Sequence, residues 1–445
     1  MGAGGEQQTT EELWGRAARV LAAGRWSPSN GVAAIPAGAL PLVIRRARGC
    51  RSIDAEGREY IDYMMGWGTA LLGFAHPVVH DAIVQQLGLG FAPTLLSEVE
   101  IELAEEFVAM IPCAEQVAFG KNGSDVLGLA VRVARAYTKR ERILFCGYHG
   151  VQDWYMAADP ECPGIPLALR ELVVPFRYNR LDELEALFAR YPGEVAAVVM
   201  EPTTEQLPAR GYLAGVKACA ERHGAVLVFD EVITGLRLAP GGAQEYFGVS
   251  PHLACFAKCL ANGLPLAAIA GPSGLDSLVS SARFGLTFRG EALSLAAARA
   301  TLRVCREEPV ARHVWSVGER LRAGVHAYGA RLGVPVSLAG PGPRTSFHFE
   351  ALPELPEHLQ LSLFVQECLV RGVLLNGHLL PSYAHGERDV EQTLEVFARA
   401  LDAVALARQR RSVDGLLHLQ PIQRFADVWS ARMKAYEDER GAARE

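Results

Sequence analysis

From about Gly66 onward the chain alternates short apolar runs with longer stretches of helical periodicity, and this constrains its fold more than any other feature. Strand-like runs fall at residues 116–119, 142–145, 195–200, 225–229 and 266–270, with helical stretches such as 98–110 and 124–137 between them. Uninterrupted apolar runs mark strands buried on both faces, and parallel strands need crossover helices to connect them. The expectation is an α/β protein with a large domain over residues 66–310, built on a mainly parallel sheet covered by helices. Residues 41–63 instead alternate apolar and polar positions around Gly49 and Glu56-Gly57, which reads as short antiparallel strands. Residues 11–23 read as a helix. After about Val304 the pattern is mixed, with helices expected near 311–332 and 361–371 and strands near 334–338 and 345–350. Residues 311–445 are therefore expected to form a smaller α+β domain, with residues 1–65 contributing to it.

Composition excludes several classes. Of 445 residues, 44 are Lys or Arg and 50 are Asp or Glu, a formal charge of −6, so no basic face for nucleic acid is expected. Half the residues are hydrophobic, which excludes a wholly disordered chain. The nine cysteines are odd in number and widely spread, so a disulfide framework is not expected. Cys255 and Cys259 are the only close pair and lack a second Cys or His pair, so they read as buried thiols and no metal site is expected. The uncharged stretches at 26–44, 63–80 and 259–275 are each broken by glycine and proline, and none reads as a membrane span. The first residues carry early glutamates and no apolar signal core, which points to a cytoplasmic location. Two phosphate-loop imitations fail: Gly66-Trp67-Gly68 is followed by Leu71 where a glycine is needed, and Gly120-Lys121 lacks the flanking residues of a nucleotide loop.

Open α/β sheets bind ligands beyond the carboxyl ends of their strands, and chemically distinctive residues cluster there. Gly123-Ser124-Asp125 opens a helix after a strand, where free amides and the helix dipole suit a phosphate; an ordinary capped helix has the same look. Asp230 ends a buried apolar strand, and a carboxylate there needs a partner such as a protonated heterocyclic nitrogen or a structural cation. Lys258 interrupts a stretch rich in small uncharged residues, where a desolvated amine can condense with an aldehyde; most lysines, however, are surface charges. Tyr148, in Tyr148-His149-Gly150, offers an aromatic face for stacking or simply packs. Phosphate cradle, stacking ring, buried acid and amine converge on one ligand, a phosphorylated pyridine aldehyde. That ligand is pyridoxal phosphate, with Lys258 forming the Schiff base and Asp230 holding the ring nitrogen protonated.

With these residues in place, the chain resembles the class III aminotransferases of the fold type I pyridoxal-phosphate enzymes, near glutamate-1-semialdehyde aminomutase. The markers are Asp230-Glu231-Val232-Ile233-Thr234-Gly235 with Arg237, the Tyr148-His149-Gly150 triplet, Glu201-Pro202, and Lys258 ahead of Gly263-Leu264-Pro265. The likeness spans about residues 41–400. It implies a seven-stranded, mainly parallel sheet in the large domain, and Lys258 as Schiff-base lysine and proton shuttle. It implies Asp230 paired with the pyridinium, Val232 behind the ring, Tyr148 in front, and Gly123 and Ser124 on the phosphate. Thr287 matches a threonine that reaches the partner subunit's phosphate, which implies a homodimer with shared active sites. Gln206 falls where relatives bond the ring hydroxyl, and Trp67 matches an aromatic at the substrate mouth, where a packed core indole is the other reading.

Departures bear on substrate. Val32 stands where the aminomutase carries the arginine that grips the substrate carboxylate, and no basic residue lies between Trp26 and Ile44. Arg289-Gly290-Glu291-Ala292 replaces the aminomutase's Ser-Gly-Asn-Pro, a change that resembles transaminases of sugars and aminoglycosides. On that likeness Asp153, Glu291 and His378 would suit a hydroxylated cationic substrate, although Glu291 also fits as an acid at a helix start. The resemblance implies transfer of an amino group from glutamate or glutamine to an aldehyde or ketone, an oxidised amino sugar of antibiotic biosynthesis being the expected acceptor. The alternative is a glutamate-1-semialdehyde-like 2,1-aminomutase or an epimerase.

Overall fold

A computed structural model of the chain describes residues 9–21, 43–418 and 421–422; Val32 and the charged tail at 439–445 lie outside the described residues. The described residues divide into two compact units. One contains 66–72 and 76–313; the other contains 9–21, 43–65, 73–75, 314–418 and 421–422.

The first unit is built on a seven-stranded sheet in the order Gln116–Gly120, Ala267–Gly271, Leu253–Phe256, Val226–Asp230, Val195–Met200, Arg142–Cys146, Val173–Pro175. All neighbouring pairs are parallel except those of Ala267–Gly271, which runs antiparallel to both its neighbours. This is the α/β architecture the alternation predicts. Val195–Met200 and Val226–Asp230 are buried along their whole length, as strands with helices on both faces must be. Two strands escape the sequence reading. Val173–Pro175 is an edge strand of three residues, and its proline, which cannot donate to a ladder, argues against a strand when read alone. Leu253–Phe256 is short and carries no β-branched residue; its position between two longer strands makes it a strand.

Helix Gly123–Thr138 buries Val126, Leu127, Ala130, Val133 and Ala134, a spacing that lays one face on the sheet. It stops at Lys139, which adopts a left-handed conformation (φ 59°) and returns its N–H to Arg135 O.

The second unit has helix Thr10–Val20, where residues 11–23 read as a helix, and the antiparallel strands Ile44–Arg48, Arg51–Asp54 and Glu59–Asp62, joined in parallel by Val373–Leu374. Its other sheet has Val336–Ala339, Thr345–Phe349 and His378–Leu379. Phe347, Phe364 and Phe397 interlock in its core with ring centroids 4.5–5.3 Å apart, each burial contributing roughly 1.5–3 kcal/mol. Phe397 comes from helix Glu387–Arg410, which the sequence reading overlooks although Val390, Thr393, Phe397, Leu401 and Val404 carry its helical spacing.

Candidate active site

Because their strands run parallel, Gly120, Cys146, Met200, Asp230 and Phe256 all end on one edge of the sheet, and the predicted residues follow them directly. Asp230 is the last residue of its strand, in register with Cys255 of the next, so Lys258 begins its turn just beyond Asp230's neighbour. Asp230 is only 4% exposed. Its Oδ1 accepts the Val232 N–H at 3.0 Å, and its Oδ2 lies 2.8 Å from Nδ1 of the fully buried His149. The other ring nitrogen of His149 faces Cys146 O at 3.1 Å. A carbonyl only accepts, so Nε2 carries a hydrogen, and the contact at Nδ1 requires a proton shared with Asp230. Trp154 stacks on the far side of His149, centroids 6.0 Å apart at 19°.

Lys258 opens the 3₁₀ turn Lys258–Ala261 with φ 44°, a left-handed conformation that costs a non-glycine residue about 1–3 kcal/mol. It is half-buried between the buried Ala257 and Cys259. Strain of this kind persists only where the surroundings hold it, and here the preceding strand and the following turn do so.

Two glycines shape the cradle. A Cβ on Gly123 would stand 2.9 Å from Val232 Cγ2 and 3.7 Å from Ala257 Cβ, so this glycine brings the helix start against both the Asp230 and Lys258 segments. Gly150 has φ 93°, and a Cβ there would land on Ser124 Oγ. Ser124 Oγ accepts the Val151 N–H at 3.3 Å. The first-turn amides of helix Gly123–Thr138 have no carbonyl four residues back within the helix. Tyr148 is 39% exposed, donates its backbone N–H to Glu201 Oε1 at 3.2 Å, and sets its ring edge-on to Tyr155 at 5.6 Å. Burial, and then the charge of Asp230, push its phenol above the ordinary tyrosine range.

The structure therefore gathers Gly123, Ser124, Tyr148, Asp230, Val232 and Lys258 in one unit, on one edge. These groups fit a phosphorylated pyridine aldehyde. The glycines leave space for a phosphate at the helix amides, the buried carboxylate would suit a cationic nitrogen, and Lys258 supplies an amine for a carbonyl carbon. His149, which the structure sets against Asp230, is a residue that sequence reasoning quotes but gives no role; its place between Tyr148 and Gly150 is the sequence signal of it.

Trp67 lies in the same unit, half-buried, with Gly66 and Trp67 both left-handed (φ 60° and 61°). Asp153 begins the short helix Asp153–Met156 and is exposed. Gln206 is exposed, its carbonyl accepting the Thr203 hydroxyl at 2.9 Å. Thr287 is exposed between helices Leu275–Ser281 and Ala292–Glu307. His378 belongs to the other unit, where its Nδ1 lies 2.6 Å from Ser346 Oγ.

Glu291 is the N-cap of helix Ala292–Glu307. Its Oε1 accepts the Leu293 N–H at 2.7 Å, and its Oε2 accepts the Ser294 hydroxyl at 2.5 Å and Lys121 Nζ at 3.1 Å. Burial alone would raise its pKa, but the Ser294 hydroxyl and Lys121 hold it below the ordinary value. Its carboxylate is engaged in cap and ion pair, so the helix-start reading accounts for it. Cys255 and Cys259 are buried, with Sγ atoms 3.5 Å from Val126 O and 2.9 Å from Gly235 O. Among the described residues no group of three or more His, Cys, Asp or Glu could hold a metal, and no helix is long and apolar enough to cross a membrane.

Comparison with known proteins follows the same lines. The family model described as aminotransferase class-III matches residues 32–401. A glutamate-1-semialdehyde 2,1-aminomutase of Syntrophobacter fumaroxidans is 33% identical over 419 residues, covering 87% of this chain and 96% of the relative. Among solved structures, the PLP internal aldimine form of the FumI protein of Sphingopyxis sp. MTA144 superimposes with a TM-score of 0.84 at 32% identity, covering 94% of this chain and 99% of that one. An omega-transaminase from Sphaerobacter thermophilus gives 0.80 at 27% identity, over 90% of this chain and 98% of its own.

Proposed function

The chain belongs to the class III aminotransferases, enzymes that use pyridoxal phosphate, and on that premise we propose that it moves an amino group at a small carbonyl substrate in the manner of a glutamate-1-semialdehyde 2,1-aminomutase. The observation that carries this reading is the register of Asp230 with Cys255, which sets a buried acid and the Lys258 turn on adjacent strand ends. The aminomutase name borne by the curated relative supports the substrate class.

Bound pyridoxal phosphate supplies an electron sink for the pair left on the substrate carbon. In this reading Lys258 Nζ would hold the cofactor through its aldehyde carbon, and the same amine would move a proton at the nitrogen-bearing carbon of the substrate. Asp230 would keep a proton on the ring nitrogen, and His149, its Nδ1 2.8 Å from Oδ2, orients that carboxylate. Gly123 and Ser124 would hold the phosphate, Val232 and Tyr148 would flank the ring, and Gln206 would meet the ring hydroxyl. Trp67 lines the substrate side; Asp153 borders the cavity along helix Gly123–Thr138 instead and is given no substrate role. Thr287 reaches the phosphate of a second copy, which makes the enzyme a homodimer with shared active sites; sedimentation at micromolar concentration is expected to give a dimer.

One observation favours a second reading, transfer from glutamate or glutamine to an oxidised amino sugar. No basic residue lies between Trp26 and Ile44, where the aminomutase grips its carboxylate. Donor stoichiometry separates the two. The holoenzyme in its pyridoxamine form should isomerise glutamate-1-semialdehyde without added donor. Strict consumption of one donor per product, with no isomerisation, rejects the aminomutase and leaves the transferase.

A further inference from the structure

We propose that a cavity of about 540 Å³ along the outer face of helix Gly123–Thr138 is a binding site for a small oxyanion, a carboxylate or a phosphate, separate from the cofactor cradle. Asp125, Gly128, Arg132 and Arg135 recur every three or four residues and so form one stripe of that helix. Trp154 and Arg283 stand across from it. Gly128 opens the floor: a Cβ there would meet Gln152 Cγ at 3.6 Å and Trp154 Cδ1 at 4.0 Å. Cδ1 is bonded to Nε1, so the N–H edge of the indole turns toward that floor.

The case rests on donors without acceptors. Trp154 is 7% exposed, and its buried Nε1 has no hydrogen-bond partner among the described residues; neither does the buried Nη2 of Arg135. Indole and guanidinium nitrogens only donate, so what completes this wall is an acceptor. Arg135 Nε reaches Glu141 O at 2.8 Å and Arg132 Nη1 reaches Ala282 O at 3.1 Å. Those partners are neutral carbonyls and do not themselves balance the positive charge. Burial lowers the pKa of Arg135, the mark of a guanidinium poorly served by its surroundings, with the Glu141 charge opposing. The cavity's own carboxylates do not serve it: Asp125 turns back to the helix start, accepting the Asn122 N–H at 2.8 Å, and Asp153 is exposed. An oxyanion supplies acceptors and charge together, and such charge-assisted bonds are the strong ones.

Calorimetric titration of the pyridoxal-phosphate-loaded protein tests this, because the cofactor's own phosphate site is then filled. Inorganic phosphate is the probe in one arm and acetate in the other, and the tighter of the two identifies the source of the oxyanion. Saturable binding is expected. Trp154→Phe, which removes the N–H and keeps a ring against His149, should weaken it about tenfold, and Arg135→Gln should do the same. If neither anion binds the wild-type holoenzyme, as when a second copy closes the cavity, the proposal fails. It fails equally if both variants bind as tightly as the wild type.

Discussion

His149 Nδ1 stands 2.8 Å from Asp230 Oδ2, and both side chains are buried. A buried acid with one oxygen on an imidazole and the other on the Val232 amide is held in a single orientation. Replacing Asp230 by Asn keeps the shape and removes the charge. Turnover should fall about 10–100-fold or more, the scale of losing a hydrogen bond to a charged group. His149→Asn should cost less and should shift the pH dependence of the cofactor's absorbance, since it acts through Asp230. Spectrophotometric titration of both holoenzymes measures this, and an unshifted His149→Asn profile removes the positioning role.

Lys258→Ala is expected to abolish the yellow absorbance of the lysine-linked cofactor and to lower turnover by at least ~10²-fold, because a positioned base contributes about 10²–10⁴-fold. The variant keeps the left-handed strain at φ 44°, since alanine tolerates that region no better than lysine. Thermal unfolding should therefore change little. Borohydride trapping followed by peptide mapping should label Lys258 in the wild type, and labelling elsewhere rejects the assignment.

Gly123→Ala should weaken cofactor binding about tenfold or more without unfolding the chain. The added methyl meets Val232 Cγ2 at 2.9 Å, and relieving that contact shifts either the phosphate cradle or Val232. Gly150→Ala adds a positive-φ penalty to a collision with Ser124 Oγ and should be the more severe of the pair. Equilibrium dialysis against pyridoxal phosphate ranks them, and equal affinity in all three proteins refutes the close approach.

Glu291→Ala should destabilise the protein by about 1 kcal/mol through loss of the cap while leaving KM for the carbonyl substrate within about twofold. The pH dependence has a definite sign. Its folded pKa is held below the ordinary 4.5, so the stabilisation is full above that value and is lost as pH falls through the folded pKa. Denaturant midpoints measured from neutral to acidic pH should converge for the variant and the wild type at the acid end. A large KM effect at neutral pH would instead return Glu291 to the substrate.

The apolar runs at 195–200 and 225–229 were readable as buried strands because side-chain chemistry alone dictates that such residues leave water. The same holds for the identities of Asp230 and Lys258, since a charge in an apolar setting needs a reason wherever it lies. What no local pattern carries is which strands become neighbours. The edge strand Val173–Pro175 and the short Leu253–Phe256 acquire their structure from the ladders beside them, and helix Ala292–Glu307 decides that Glu291 spends its carboxylate on a cap and on Lys121. The pairing of His149 with Asp230 belongs to this second kind of information. Residues far apart in the chain meet only after parallel strands bring their carboxyl ends to one edge, and that register is settled by long-range packing and hydrogen bonding, not by the residues flanking either one.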